Sequence, residues 1–175
     1  MGAITSRFEK VGLKIVACRF VVVSKDMAGK HYPADRESFI RGMGEKTLEN
    51  YKKMGINAKE KLGTEDALEI GKMIREWLID YISSGPVMAY VFEGPHAVEL
   101  VRKLCGHTLP LISAPGTIRG DYSFDSSYLA NTASRPIKNL VHASGTVEEA
   151  QYEIPLWFSS SEIHTYKRIE EDVMR

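Results

Sequence analysis

At 175 residues, 43% of them apolar and 26% charged, the chain is long enough for one proper core and has the composition of a soluble globular domain. Its formal net charge is zero, which removes any global electrostatic case for a nucleic-acid partner or an acidic membrane surface. Two distant cysteines, Cys18 and Cys105, with no apolar run of membrane-spanning length and no signal-peptide core, point to a reduced, cytoplasmic protein.

Residues 3–10 read as the end of a helix: Ile4, Phe8 and Val11 share a face, and Gly12 stops it. Residues 13–23 are a long apolar, β-branched run, hence a strand, with Arg19 inside it and Cys18 as a packing residue. Ser24 caps a helix over 25–32, which Pro33 ends. Residues 35–62 are polar and helical, punctuated by Gly42, Gly44 and Gly55. After a turn at 62–64, a further helix runs to about 82, with Leu68, Met73, Trp77, Leu78 and Tyr81 as its apolar residues. Ser83-Ser84-Gly85-Pro86 breaks it, and residues 87–92 form a second strand. Gly94-Pro95 opens a helix through 104. Residues 105–121 then form a long loop rich in proline and glycine, and such loops in compact domains are usually functional. Asp125-Ser126-Ser127 offers a helix cap within an irregular stretch. Residues 139–144 read as a third, buried strand. Thr146 then starts a helix presenting Val147, Ala150, Ile154 and Trp157 at helical spacing. The tail, residues 159–175, holds one short polar helix. The order fits an α+β fold in one domain, with helices packed on an antiparallel sheet.

His142 stands at the end of the third expected strand, just before a helix N-terminus, where phosphate groups are readily held. Ser144 offers a hydrogen bond beside it, and Glu153, two turns into the helix, can reach back to a ring nitrogen and fix the tautomer. A histidine after two apolar residues also fits a packed, hydrogen-bonded core side chain. Arg119, in Thr117-Ile118-Arg119-Gly120-Asp121, can give a planar fork to phosphate oxygens, with Arg102 and Thr108 nearby in sequence. An arginine in an ordinary surface ion pair is the competing reading. The five histidines lack ligand spacing, so neither a structural zinc site nor any other protein-held metal is expected.

Taken in order, His31-Tyr32, Ser84-Gly85-Pro86-Val87, Phe92-Glu93-Gly94, Arg102, Pro110, Ala114-Pro115-Gly116-Thr117-Ile118-Arg119-Gly120-Asp121, then Asn139, His142, Ser144, Glu153 and Leu156-Trp157-Phe158 resemble the motifs of the nucleoside diphosphate kinase family. The resemblance implies a ferredoxin-like βαββαβ core and a homo-oligomer, commonly a hexamer. It implies transfer of the γ-phosphate of a nucleoside triphosphate to a nucleoside diphosphate through a phosphohistidine on His142. Glu153 would orient the ring, with Ser144 as a further catalytic residue beside it, and Tyr32 would lie beside the histidine and the transferred phosphate. Arg102, Thr108 and Arg119 would bind phosphates and Asn139 the sugar, with Mg²⁺ arriving on the nucleotide. The chain departs from the family pattern in four places. It begins inside the first helix, so the expected leading strand with its Lys-Pro-Asp motif is absent, and an impaired nucleotide-binding or regulatory homologue is the alternative. Residues 33–82 contain a helical insert that displaces the family's base-stacking aromatic. A second insert lies at 122–138. Gly145 replaces a usually acidic residue.

Overall fold

Two long antiparallel strands form the framework in the computed structural model of the chain, which describes residues 1–169. Strand β1 (Lys14–Val22) pairs with β2 (Pro86–Glu93) from Lys14 opposite Glu93 to Val22 opposite Pro86, with an irregularity between Ile15 and Ala17. Among the described residues these two strands make the whole sheet.

Strand alternation sends Tyr90 and Phe92 to one face. There α1 (Gly2–Lys10) covers them: Thr5 Oγ1 lies 2.8 Å from the Tyr90 hydroxyl, and the rings of Phe8 and Phe92 are 4.7 Å apart. Phe8, Leu13, Cys105 and Ile118 form the buried cluster on this side, with Val141 and Ala143 packed against it. On the opposite face Val16, Ala17, Val91 and Phe158 are buried against Ile154 and Trp157.

The helices follow their local signals. Helix α2 (Lys25–His31) starts at Ser24, whose hydroxyl accepts from the Met27 amide. Helix α3 (Glu37–Lys53), the short α4 (Ala58–Leu62) and α5 (Ala67–Ser83) fill the expected insert. Glycines let α3 and α5 approach backbone to backbone. A Cβ on Gly44 would stand 1.8 Å from the Ala67 carbonyl oxygen, and one on Gly71 would stand 2.0 Å from that of Ile40. Helix α6 (Ala97–Cys105) follows β2. The expected loop over 105–121 is partly ordered, with a 3-10 turn at Pro110–Ile112 and helix α7 (Ile118–Tyr122) capped by Thr117. Ser126 caps α8 (Ser127–Thr132), and Thr146 caps α9 (Val147–Trp157). Beyond a 3-10 turn at Ser160–Glu162, the part of the expected tail helix past residue 169 lies outside the described residues. Among the described residues no helix is long and apolar enough to cross a membrane.

Two expectations need correction. Residues 139–144 are not a strand. Leu140 adopts φ 68°, and the Val141 amide turns back to the Asn139 carbonyl at 2.8 Å, a tight turn that no ladder accommodates. Cys18 is exposed rather than packed, because alternation along β1 turns it away from the face that Ala17 buries.

Candidate functional site

The segment carrying His142 is shaped by one arginine. Arg119, on the first turn of α7, is only 8% exposed. Its Nε donates to the Asn139 carbonyl at 3.3 Å, its Nη2 to that of Val141 at 2.6 Å and its Nη1 to that of Gly106 at 3.0 Å. Two of these carbonyls flank Leu140, so the guanidinium holds the left-handed turn that a bulky residue does not favour by itself. Burial lowers the Arg119 pKa from its ordinary value. The sequence assigned this residue to phosphate. The structure places three of its N–H groups on backbone carbonyls.

His142 emerges from that turn with its side chain 42% exposed. Its Nε2 lies 3.0 Å from Glu153 Oε1, and the Ser144 hydroxyl donates to Glu153 Oε2 at 2.5 Å. A carboxylate only accepts, so Nε2 carries the proton and the lone pair on Nδ1 is left for chemistry. Burial pushes Glu153 upward, but the hydrogen bond and charge of His142 and the Ser144 hydroxyl outweigh it. The carboxyl is held below its ordinary range.

Behind this pair lies a residue that the sequence motif contained without assigning it a task. His31, the last residue of α2, is 5% exposed, and its ring meets that of His142 edge-on at 4.5 Å. Its Nδ1 accepts from the Trp157 indole at 3.2 Å and lies 3.8 Å from Glu153 Oε1. Burial, then the neighbouring His142, pushes its pKa down to about 4, so it is neutral at pH 7. Tyr32 follows, its ring 6.3 Å from that of His142. Burial and then the Glu153 charge push its hydroxyl up to about 12. The expectation of scattered histidines without ligand spacing therefore holds in sequence and fails in space. Ligand atoms of His31, His142 and Glu153 all lie within 4.8 Å of one another.

The insert contributes a wall. Arg36, at the start of α3, donates to Glu149 Oε1 at 3.3 Å and lies over the Tyr152 ring. Glu149 Oε2 in turn accepts from the Gly145 amide at 2.7 Å. A cleft of about 130 Å³ opens between His31, Tyr32, Arg36, Phe39, His142 and Glu149, with Phe39 60% exposed at its rim. A larger groove, about 340 Å³, runs along β1 and the tail and shares no residue with it. Arg102 is exposed on α6, and a Cβ on Gly145 would come within 3.6 Å of its Nη1. Asn139 donates from Nδ2 to the Thr108 carbonyl at 3.4 Å, which ties the exposed Thr108 loop to the His142 segment. The structure thus gathers His142, Ser144, Glu153 and Tyr32 closely, and sets Arg102, Thr108 and Asn139 around them. Arg36, Phe39 and Glu149 gave no sequence signal, because their meeting depends on how the insert folds back.

Three comparisons bear on this arrangement. A family model described as nucleoside diphosphate kinase matches residues 50–163. The curated nucleoside diphosphate kinase of Pyrobaculum aerophilum is 47% identical over 163 residues, covering 93% of this chain and 88% of its own length. A crystal structure of an NDP kinase from that organism superposes with a TM-score of 0.91 at 45% identity, covering 93% of this chain and 89% of the other. A structure described as a transition-state mimic of nucleoside-diphosphate kinase from Borrelia burgdorferi, with bound vanadate and ADP, superposes with a TM-score of 0.77 at 37% identity. It covers 98% of this chain and 84% of the other.

Proposed function

The chain belongs to the nucleoside diphosphate kinase family, with that family's α+β ferredoxin-like fold and phosphotransferase activity, and from that premise we propose that the phosphoryl group passes through His142. One observation carries the reading: Glu153 accepts a hydrogen bond from His142 Nε2–H at 3.0 Å, which leaves Nδ1 with a free pair. Nδ1 attacks the γ-phosphorus of a nucleoside triphosphate in line. The bond to the β-phosphate oxygen breaks, and the diphosphate leaves with that electron pair. The ring gains positive charge as the N–P bond forms, and the ionised Glu153, braced by Ser144, stabilises it without moving. A terminal oxygen of an incoming nucleoside diphosphate then attacks the phosphohistidine and regenerates the free imidazole.

Arg102 and Thr108 face the phosphates in this reading, and Asn139 the sugar. Arg119 acts chiefly as a positioning residue that fixes the backbone beneath His142. Tyr32 closes the inner wall beside the ring. Phe39 offers the apolar ring face at the cleft rim that a nucleobase would use.

Both oxygens of Glu153 are engaged, and Glu149 is bonded to Gly145 and Arg36, so these carboxylates suit an ion that brings its own oxygen ligands. Mg²⁺ keeps several waters and binds nucleotide phosphates in such sites, where it neutralises charge on the transferring group. We extend the proposal to a homo-oligomer, a hexamer by family resemblance. The exposure of Leu111, Ile112 and Phe124 at 68%, 61% and 82% supports a subunit contact there. A cytoplasmic location completes the reading.

The test is the intact mass after incubation with ATP and Mg²⁺, with an acid-treated aliquot alongside. One acid-labile phosphate is expected in the native chain and none in His142→Ala. Phosphate retained in that variant sinks the assignment. No phosphate on the folded native chain favours a nucleotide-binding homologue without turnover.

A further inference from the structure

We propose that His31, Glu153 and His142 form a binding site for a first-row transition-metal ion, Zn²⁺ above all, and that its occupation silences the nucleophile. This ion is separate from the Mg²⁺ of the substrate. Imidazole nitrogens suit zinc, whereas magnesium takes oxygen.

The geometry is close to ready. Zinc bonds to imidazole nitrogen and carboxylate oxygen are both near ~2.1 Å, so adjacent ligand atoms around a tetrahedral ion stand roughly 3.4 Å apart. Here His142 Nε2 to Glu153 Oε1 is 3.0 Å and His31 Nδ1 to the same oxygen is 3.8 Å, either side of that spacing. The three ligand atoms lie within 4.8 Å of one another, so a shift of about an ångström brings the set to one ion.

The protonation states also suit. His31 Nδ1 accepts from the Trp157 indole, so it presents a lone pair, and the ion replaces that N–H as its partner. Glu153 is a carboxylate. Only His142 Nε2 must give up its proton, and the neutral ring does this by changing tautomer: the proton passes to Nδ1 and none is released. The exposed side of His142 leaves room for water in the fourth position.

The consequence for activity rests on the phosphohistidine reading. A cation on Nε2 takes Glu153 from the ring and leaves the ring proton on Nδ1, so the lone pair that attacks phosphorus is gone. Binding itself does not depend on that reading.

The experiment uses the full chain labelled with ¹⁵N at histidine, free of nucleotide, titrated with Zn²⁺ alone. One equivalent is expected to move the ring nitrogens of His31 and His142 and to shift the His142 proton from Nε2 to Nδ1. His142→Ala should weaken Zn²⁺ binding at least roughly 100-fold. His164→Ala and Cys18→Ser should leave it unchanged. Shifts confined to other histidines, or equal binding by His142→Ala, overturn the site, and the spectra of the unaltered chain decide this whatever the variants do. In a parallel assay with excess Mg²⁺ and ATP, stoichiometric Zn²⁺ should abolish the acid-labile phosphate, and a zinc-selective chelator should restore it. Phosphorylation unaffected at saturating Zn²⁺ overturns the silencing. Absence of phosphate before any zinc is added counts instead against the phosphohistidine reading, and the ring shifts still decide the metal site.

Discussion

At the scale of single residues, the site depends on one proton being held in one place. Glu153→Gln keeps the shape and an acceptor oxygen but removes the charge that meets the growing imidazolium. Phosphoenzyme formation should slow by about 10²-fold, read by quenched flow, with the melting temperature little changed. A loss of less than about threefold would make Glu153 a packing residue. His31 carries a different signature. Its ordinary pKa of 6.5 falls to about 4 in the folded chain, through burial and then His142, against the opposing charges of Glu153 and Glu149 and beside Arg36. The unfolded chain therefore takes up the proton first. The contribution is fully present above pH 6.5 and is lost as pH falls toward 4, about 3 kcal/mol over that window. Glu153, held below its ordinary range, adds a loss of the same sign at lower pH. Urea midpoints at pH 7 and 4.5 should converge in His31→Gln relative to the native chain, and an unchanged gap would clear His31. Most of this site was legible as residue types at fixed spacing: His142 and Ser144 are two positions apart, and Glu153 lies two turns into the helix that follows. The task of His31 was not, since it lies over a hundred positions from His142 and meets it only through tertiary packing.

Elements were legible where a cap or a period marks them. Ser24, Ser126 and Thr146 each accept the amide that starts their helix, and β1 and β2 follow their β-branched runs. The segment over 139–144 failed because an apolar run states burial, not hydrogen-bond partners. Arg119 takes the carbonyls that a ladder would need, and nothing in the run itself announces this. The crossing of α3 and α5 was equally silent, since glycine in a helical stretch reads as punctuation. In the fold it is a contact surface, and this makes a sharp test. In Gly71→Ala the new Cβ, 2.0 Å from the Ile40 carbonyl oxygen, forces two helices apart. The expected cost is about 2–3 kcal/mol, a fall of roughly 5–10 °C in Tm. Gly42→Ala, on the partner helix α3 with nothing within 4 Å of its Cβ, should be neutral or slightly stabilising. Equal effects from the two substitutions would mean that helix propensity, not the crossing, sets the response.

In the whole molecule, the cleft is where distant parts of the chain meet. His31 and Tyr32 come from the end of α2 and its exit, Arg36 and Phe39 from the insert, and His142 and Glu149 from the segment leading into α9. Tyr152 reaches the Lys30 carbonyl at 2.8 Å, and Arg36 reaches Glu149, so α9 is fastened to both α2 and the insert. On the proposed reading, a nucleotide there binds only when all these stretches are in place, and binding stabilises the fold as a unit. ADP at a hundred times its dissociation constant should add about 2.7 kcal/mol, or roughly 5–10 °C in Tm for a chain of this size. Arg102 decides whether the phosphates lie where the site residues put them. A hydrogen bond from a charged donor is worth ~1.5–3 kcal/mol, so Arg102→Ala should weaken ADP at least roughly tenfold and remove about 1.4 kcal/mol of the stabilisation at the same ADP concentration. That is a loss of roughly 3–5 °C from the shift, with the Tm of the free protein unchanged because Arg102 is exposed. Lys25→Ala, which breaks only the surface pair with Asp80, should leave the shift intact. If Arg102→Ala and Lys25→Ala shift alike, the phosphates approach His142 from another side, and Arg36 on the insert becomes the next cation to remove.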